Sequence, residues 1–419
     1  MTVAAPATGR RRILLGFTDQ AVFGLASAGN ALLATAVLDP DRAGAVLISI
    51  TTVYFVMGIS RAFVGEVVLA HVSRYDGAER RQREEDALAS TLTLSVAGAV
   101  ICLGLWLFGP SEWFGDLIWA IPFLPALMTH DTGRHTYLAA REQAGALTVD
   151  LTWVLTQAAA VTAFLLAGWR EGGTLLVAWG LGATAGSLLF LFRSRLNPLR
   201  GHIRNWFAET RHLSGWFTGS AVIGQSQTML IAVIVAEFLT EAAYAGLRLA
   251  QLVVLQPLQN FITAMNALMV PRFSRFASAG DLPALRRLTF RVAAFGLVVG
   301  LAAIAVVVAV TGPVLGWYKN GDYAFVEPIA LPVAIQAAIY LMQIPFTAAL
   351  RGMQQGKFLF MQYAVFTATS LTGVVLGARD GSLTGAAWGL TTGAAVGFIA
   401  MIILYWFAAH GPRRPEPQR

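Results

Sequence analysis

The sequence predicts an all-α membrane protein with about 12 transmembrane helices, arranged as two six-helix repeats around a central cavity. Of its 419 residues, 56% are hydrophobic and only 13% are charged, which is about half of the roughly 25% usual in soluble domains. The mean hydropathy is +0.62. Apolar segments of about 20 residues recur along the chain, and a helix of that length crosses the roughly 30 Å hydrocarbon core of a bilayer. Short motifs also recur at a near-constant spacing, which predicts the repeat.

The predicted spans follow one another with short polar breaks between them. Prolines interrupt the fourth span at Pro122 and Pro125 and the tenth at Pro332 and Pro345. Proline is tolerated in a membrane helix where neighbouring helices satisfy the carbonyl groups that it frees, so both segments are predicted as helices. In chain order, the predicted spans are 14–38, 43–70, 87–108, 113–138, 147–168, 174–192, 213–236, 242–270, 289–312, 327–350, 358–378 and 383–408.

Basic residues are distributed unevenly between alternate loops. With a cytoplasmic N-terminus, 23 of the 30 lysines and arginines fall in cytoplasmic segments, and the outer loops hold only Arg42, Arg170, Lys319 and Arg379. The positive-inside rule describes this asymmetry. The net charge of +7 therefore reflects topology and contact with anionic membrane lipids, and no nucleic-acid partner is predicted. We expect a multi-pass protein of a bacterial inner membrane, with both termini in the cytoplasm.

Three pairs of short motifs recur in the same order and at equivalent spans, with offsets of 201, 210 and 209 residues. Because six is an even number, both halves enter the membrane in the same direction, as in a parallel repeat. We predict a first half at 1–192, a basic cytoplasmic linker at 193–212, a second half at 213–408 and a cytoplasmic tail at 409–419. The motif pairs are VSRY at Val72–Tyr75 with FSRF at Phe273–Phe276, AAR at Ala139–Arg141 with ALR at Ala349–Arg351, and AWGL at Ala178–Leu181 with its copy at Ala387–Leu390.

Glycines at four-residue spacing follow both copies of AWGL. Gly182 and Gly186 lie after the first copy, and Gly393 and Gly397 after the second. Small residues at this spacing let two helices approach closely in a membrane. We therefore expect AWGL to be a packing element at matched places in the two halves.

Three arginines lie within predicted spans: Arg61 in the second, Arg134 in the fourth and Arg248 in the eighth. An arginine at the centre of a span costs roughly 2.5–3.5 kcal/mol on insertion scales, so it usually faces protein or water. One interpretation is a column of fixed cations along a substrate path. The alternative is structural: Arg134 extends to the cytoplasmic surface, and Arg61 pairs with Glu66 or Asp19.

Polar residues recur on one face of several spans. In the tenth span, Gln336, Tyr340 and Gln343 follow helical spacing, and in the eighth, Gln259 shares a face with Arg248. Polar faces on this many spans predict a solvated cavity. For any single Gln or Asn, a hydrogen bond between helices is the alternative.

Carboxylates within or near the spans include Asp19, Glu66, Asp131 and Asp150. A carboxylate at membrane depth can carry a proton or a sodium ion. Asp19 and Asp150 are our candidates for ion coupling. The alternative for each is a structural ion pair with a membrane arginine.

Residues for cofactor or metal chemistry are not recognised in the sequence. A GxxxxGK motif for nucleotide binding is absent, and no catalytic cluster appears in a loop. His130 and His135 are five residues apart, so they do not share a helix face. We therefore predict a transporter and not an enzyme, with no cofactor and no metal site.

The segment from Ala243 to Arg287 resembles a known family. It reads AYAGLRLAQLVVLQPLQNFITAMNALMVPRFSRFASAGDLPALRR, with an A-x-R-L helix, a proline ending the next apolar run, a basic aromatic turn and a GD-x-x-x-L-x-R loop. This pattern is similar to the start of the second half of Wzx-type polysaccharide flippases. Their superfamily also holds the multidrug and toxin extruders and the lipid II flippases. The resemblance implies alternating access, a polyprenyl-diphosphate-linked oligosaccharide as substrate, and a polymerase and glycosyltransferases as partners.

The side chains found within the spans suit such a substrate. The planar guanidinium of arginine binds phosphate oxygens in a bidentate way, and amides and tyrosine suit sugar hydroxyl groups. We therefore predict seven substrate-binding residues, with a proton or a sodium ion as the coupling ion. They are Arg61, Arg248, Arg134, Gln259, Gln336, Tyr340 and Gln343.

Two other functions remain open. A cation-coupled multidrug exporter of the same superfamily is the main alternative, although drug cations favour acidic cavities and the spans carry arginines. A membrane enzyme acting on lipid-linked glycan is the third, but the polar breaks are too short for a catalytic domain.

Overall fold

The computed structural model describes residues 28–353 and 355–410, together with Thr18, Val22 and Gly24. The side chains of residues 213, 216, 220, 256, 257, 259–264, 266–268, 271 and 410 lie outside the description. The described part of the chain is helical and contains no strand. Its twelve helices of ten or more residues are α1 (Ala28–Val37), α2 (Pro40–Arg74), α3 (Gly77–Phe108), α4 (Leu124–Ala139), α5 (Gln143–Leu166), α6 (Gly172–Ser194), α7 (Ile203–Phe238), α8 (Glu241–Ser278), α9 (Leu282–Trp317), α10 (Ala330–Gly352), α11 (Gly356–Arg379) and α12 (Leu383–His410).

These helices lie at the twelve predicted spans, and the predicted all-α membrane fold is confirmed. Among the described residues, 9 helices are long and apolar enough to cross a membrane. The other three are α4, α8 and the ten-residue α1. Helix α4 falls short because it has only 16 residues and its second half is polar, and the candidate functional site is built on that half.

Helix α2 begins at a conventional cap and changes its winding in the middle. The Asp39 carboxylate accepts a hydrogen bond from the Arg42 backbone N–H at 3.0 Å, and Pro40 occupies the first turn, where its missing N–H is not needed. From Arg61 to Gly65 the helix makes a π turn, in which the Glu66 N–H bonds the Arg61 carbonyl five residues back. Such turns insert one extra residue and are frequent at functional sites.

The chain divides into two compact units, Met1–Val233 and Ile234–Arg419. In the first unit, α4 is the central helix and packs against α2, α3, α5 and α6. This enclosure explains how a polar helix is accommodated, because every polar face meets protein. In the second unit, α10 is central and packs against α8, α9 and α12. Each central helix is therefore the fourth of its predicted repeat.

Close backbone contacts join the last two helices of the second unit. A Cβ at Gly377 of α11 would collide with the backbone of Gly385 on α12, and one at Gly389 would collide with the backbone of Gly373. Glycine at these positions lets the two helices touch main chain to main chain, as expected for small residues in membrane helices.

The segment predicted as a linker, 193–212, is largely structured. Helix α7 begins within it at Ile203, and the unit boundary falls inside α7. The Trp206 indole donates to the Phe63 carbonyl at 3.2 Å. Upstream, buried carboxylates at the start of α3 fix the loop, because Glu85 accepts from the Asn197 N–H and Asp86 from the His202 N–H, at 3.2 and 2.7 Å.

Candidate functional site

A run of polar residues in α4 forms the centre of the first unit. The sequence Thr129–Thr136 reads THDTGRHT, and every residue of it is buried. Burying ionised groups away from water is costly unless they are paired. The run therefore requires partners on the surrounding helices, and α2 and α5 supply them.

Arg61 on α2 forms an ion pair with Asp131 on α4. The contact is bidentate, because the Arg61 Nη2 lies 2.7 Å from Asp131 Oδ1 and its Nε lies 3.0 Å from Oδ2. Arg61 is the first residue of the π turn in α2. Close packing of Gly65 on the His135 ring holds this turn against α4, since a Cβ there would lie 3.0 Å from the ring. The sequence is compatible with Arg61 either as a cation on a substrate path or as a member of an ion pair, and in the structure Arg61 forms an ion pair with Asp131.

A second ion pair joins α4 to α5. Arg134 Nε donates to Asp150 Oδ2 at 2.9 Å, and the Arg134 and Asp150 side chains are 5% and 0% exposed. The alternative that Arg134 extends to the cytoplasmic surface is wrong, because Asp150 holds it inside the helix bundle. Asp150 is thus in a structural ion pair, and its role in ion coupling stays a prediction.

Two histidines of α4 flank these pairs. His130 Nε2 lies 3.4 Å from Asp150 Oδ1 but makes no hydrogen bond to any described residue. His135 Nδ1 lies 2.7 Å from the Asp131 backbone carbonyl and 3.8 Å from the Asp131 carboxylate. Since a carbonyl only accepts, Nδ1 of His135 carries a proton and donates it.

The ionised side chains of this cluster balance one another. Arg61 and Arg134 contribute two positive charges, and Asp131 and Asp150 two negative charges, so the cluster is neutral while both histidines are neutral. In the described part of the chain, no group of three or more His, Cys, Asp or Glu residues is placed to hold a metal ion.

A pocket opens beside the Arg61–Asp131 pair. Aromatic side chains form much of its wall. The space inside it and in front of its open mouth totals about 290 Å³, of which the enclosed part is about 10 Å³, the room that one water molecule needs. The Tyr54 and Trp179 rings lie 5.2 Å apart, centroid to centroid, and those of His130 and Trp153 lie 5.0 Å apart. Its lining residues are Tyr54, Met57, Arg61, Leu127, His130, Asp131, Trp153, Trp179 and Ala183.

Gly182 and Gly186, which follow AWGL in α6, allow the rings of the pocket wall to pack closely against that helix. A Cβ on Gly182 would lie 2.7 Å from the Trp153 ring, and one on Gly186 would lie 2.6 Å from the His130 ring. The expected close packing is therefore present in the first unit. AWGL has more than the expected packing role there, because Trp179 lines the pocket. Its counterpart Trp388 is exposed.

A neutral polar network borders the pocket. Gln157 on α5 donates to the Asn30 side chain on α1, and the Asn30 amide lies 3.5 Å from the Tyr54 hydroxyl. Asn30, Gln157 and Trp179 also line a second, neighbouring pocket. The amide side chains of Asn30 and Gln157 therefore extend the polar lining beyond the charged cluster.

The other predicted site residues lie elsewhere. Arg248 on α8 is partly exposed. In α10, the Gln336 amide donates to the Tyr340 hydroxyl at 2.8 Å, while Gln336 Oε1 and Gln343 Nε2 are buried and have no hydrogen-bond partner in the described structure. Gln259 lies in α8 with its side chain outside the description, and Asp19 lies outside the described residues.

Several site residues were not selected from the sequence. Asp131 was considered only as one of four carboxylates, and His130 was dismissed because of its spacing from His135. The high density of polar residues in Thr129–Thr136 could have identified both residues, because a helix that faces lipid does not contain so many polar side chains. Trp179 lies in the AWGL motif, which predicts helix packing and not a pocket wall, and nothing in the sequence singles out Tyr54.

Comparison with known proteins identifies the fold. No family model matches the chain, and no curated protein sequence matches it. An inward-facing multidrug resistance transporter of the MATE family, in the MOP superfamily, superposes with a TM-score of 0.75 at 12% identity, covering 93% of each chain. The lipid II flippase MurJ, in an inward closed conformation, gives 0.70 at 13% identity, covering 94% of this chain and 89% of that one. A MOP superfamily transporter from Pyrococcus furiosus, described as having a binding pocket of reverse polarity, gives 0.65 at 11% identity, covering 95% and 93%. The chain therefore has the fold shared by these transporters.

Proposed function

We propose that the protein is a flippase that moves a polyprenyl-diphosphate-linked oligosaccharide from the cytoplasmic to the outer leaflet by alternating access, for cell-surface polysaccharide assembly. The supporting observation is the unequal exposure of the two partners in one ion pair. The Arg61 side chain is 34% exposed, whereas that of Asp131 is 5% exposed. A ligand in the pocket therefore meets the guanidinium, whose planar fork suits phosphate oxygens.

The rest of the pocket wall supports a glycosylated head group. Trp153 and Trp179 are buried within this wall, whereas Tyr54 is half-buried and can present its ring and its hydroxyl group to a sugar. The long apolar tail of such a lipid needs no site in the protein, because it can stay in the bilayer. A lipid II flippase shares the fold.

Residues of the second unit remain predicted ligands. The two buried amide atoms of α10 that lack hydrogen-bond partners are suited to hydroxyl groups of a glycan. The predicted set there comprises Arg248 for phosphate and Gln259, Gln336, Tyr340 and Gln343 for sugar, and Asp19 and Asp150 remain the predicted ion-coupling residues.

A cation-coupled multidrug exporter is the second candidate. A multidrug transporter shares the fold, and two carboxylates, Asp131 and Asp150, lie in the cluster. Both are already paired with arginines, so the cluster has no surplus negative charge to hold a drug cation. The arginines are likewise paired, so the unequal exposure of Arg61 and Asp131, and not the net charge, favours the anionic substrate.

The test uses a neutral double variant, because removing Arg61 alone would leave Asp131 buried without its ion-pair partner. In Arg61→Ala/Asp131→Ala protein, we expect flipping of a fluorescent polyprenyl-diphosphate lipid in proteoliposomes to fall roughly 10- to 150-fold, equivalent to the 1.5–3 kcal/mol of a charged hydrogen bond. Arg83→Ala/Glu209→Ala is the matched control, since it removes a partly exposed ion pair outside the pocket.

Two results would contradict the proposal. One is flipping at the wild-type rate by the double variant in the pocket. The other is transport of a cationic dye, but not of the lipid, by wild-type vesicles, which would support the exporter.

A further inference from the structure

His130 is a buried titratable group in the pocket wall that the proposed phosphate contact does not use. Its ring is 4% exposed, stacks edge-on against Trp153 and lines the same pocket as Arg61. Its Nε2 points to within 3.4 Å of Asp150 Oδ1 and makes no hydrogen bond to a described residue. A proton added at Nε2 would therefore find a carboxylate already in place.

The charge balance of the cluster gives that proton a role. The two arginines offset the two aspartates, so a bound diphosphate introduces negative charge that nothing compensates. Arginine is always protonated, and both aspartates are ionised partners of arginines. The histidines are the cluster residues whose charge can change near neutral pH, and a nearby negative charge favours their protonated form.

The geometry distinguishes His130 from His135. The pocket lining includes His130, whereas the His135 ring packs against Gly65 of α2 and bonds the Asp131 carbonyl. The charged groups that act on His130 are Asp131 and Arg134 from its own helix and Arg61 from α2, together with Asp150 from α5. Helix α6 presents Gly186 to the ring. The Val149 backbone carbonyl also acts on the ring, and Asp150 supplies a carboxylate 3.4 Å from Nε2.

We propose that His130 takes up a proton at Nε2, and that the resulting N–H donates a hydrogen bond to Asp150, when a phosphorylated head group binds beside Arg61. This inference rests on the proposed function, since it concerns the same pocket. The proton comes from a hydronium ion of the solvent: one of its O–H bonds breaks as the N–H bond forms on the ring, and a water molecule is left behind. Head group and proton therefore enter the site together, and the positive charge of the imidazolium offsets part of the added negative charge.

Calorimetry of ligand binding in two buffers tests this linkage. The full chain in detergent is titrated with farnesyl diphosphate, as a soluble prenyl diphosphate, in buffers with different ionisation enthalpies at one pH. For the wild type, we expect an uptake of about one proton per ligand at a pH above the ordinary His pKa. His130→Gln is expected to bind without that uptake. His202→Gln, at an exposed residue outside the pocket, is the matched control and is expected to behave as wild type.

The outcomes separate the inference from the proposed function. If the wild type binds without taking up a proton, or if His135→Gln loses the uptake and His130→Gln keeps it, the inference is wrong and the flippase proposal stands. If farnesyl diphosphate does not bind at all, both are wrong. A titration of the histidine ring signals by NMR in the wild type, with and without ligand, needs no variant and must show one buried histidine becoming charged on binding.

Discussion

Breaking the buried pair between α4 and α5 should destabilise the first unit strongly and asymmetrically. Asp150 is fully buried and lies 2.9 Å from Arg134. Replacing one partner of a buried ion pair typically costs about 3–5 kcal/mol, because the other charge is left without compensation. In Asp150→Leu, Arg134 cannot lose its proton, so we expect the full cost. In Arg134→Met, Asp150 can be neutralised by a proton, directly or through His130, so we expect a smaller cost that decreases as the pH falls.

The double variant Arg134→Met/Asp150→Leu provides the decisive comparison. Apolar side chains of similar volume often replace a buried ion pair at little cost, so we expect the double variant to be more stable than Asp150→Leu alone. The free energy of unfolding is measured by tryptophan fluorescence during SDS titration in mixed micelles. If the effects of the two single changes add to within about 0.5 kcal/mol, the sites are independent and the charge argument fails.

Two further predictions concern positions outside the pocket. Gly389→Leu should separate α11 from α12 and lower the free energy of unfolding by at least about 1–3 kcal/mol, as overpacked contacts do. Gly356→Ala is the control and should leave stability unchanged, because a Cβ there meets no atom within 4 Å. An equal loss of thermal stability in both variants would contradict the packing argument. At the start of α7, burial alone would raise the pKa of Glu209, but hydrogen bonds from His71 and Arg83 outweigh it and hold that pKa below its ordinary value. The ionised Glu209 carboxylate therefore contributes fully to the free energy of unfolding above the ordinary Glu pKa of about 4.3, and this contribution is lost as the pH falls through the lowered pKa. Glu209→Gln should lower the free energy of unfolding by up to about 1 kcal/mol at pH 7, the usual value for a partly exposed ion pair, and should leave it unchanged in strong acid. If the melting temperatures of the variant and the wild type differ by the same amount at every pH, the carboxylate charge does not matter.

The fold was largely predictable because hydropathy and helix length are local properties. The predicted span 43–70 lies within α2, and 383–408 lies within α12. The predicted span 113–138 is not one continuous helix, because Pro122 lies in a 3₁₀ turn at Ile121–Phe123 and α4 begins only at Leu124, with Pro125 in its first turn. Pro332 and Pro345, by contrast, lie within α10. The helical start of α7 at Ile203 was missed, since that segment is polar and becomes a helix by packing Trp206 against the first unit.

The candidate site was predictable in part. The position of Arg61 within a span indicated a functional or paired residue, but its partner lies 70 positions away on another helix. The rotation of α2 against α4 decides that pairing, and the π turn at Arg61 changes the rotation by one residue. A pattern of 3.6-residue periodicity contains no information about such a turn. The wall formed by Trp179 is likewise a property of helix packing and not of the AWGL motif itself.

The polarity of α4 has a consequence for the biogenesis of the protein. As an isolated segment, a helix with Arg134 and Asp131 ionised would cost roughly 5–7 kcal/mol to insert, at about 2.5–3.5 kcal/mol for each charge. Its countercharges reside on Arg61, which is synthesised earlier, and on Asp150, which emerges from the ribosome later. The helix should therefore wait at the translocon until α5 follows it. Glycosylation mapping of nascent chains truncated before and after α5 would reveal α4 integrating only in the longer chain.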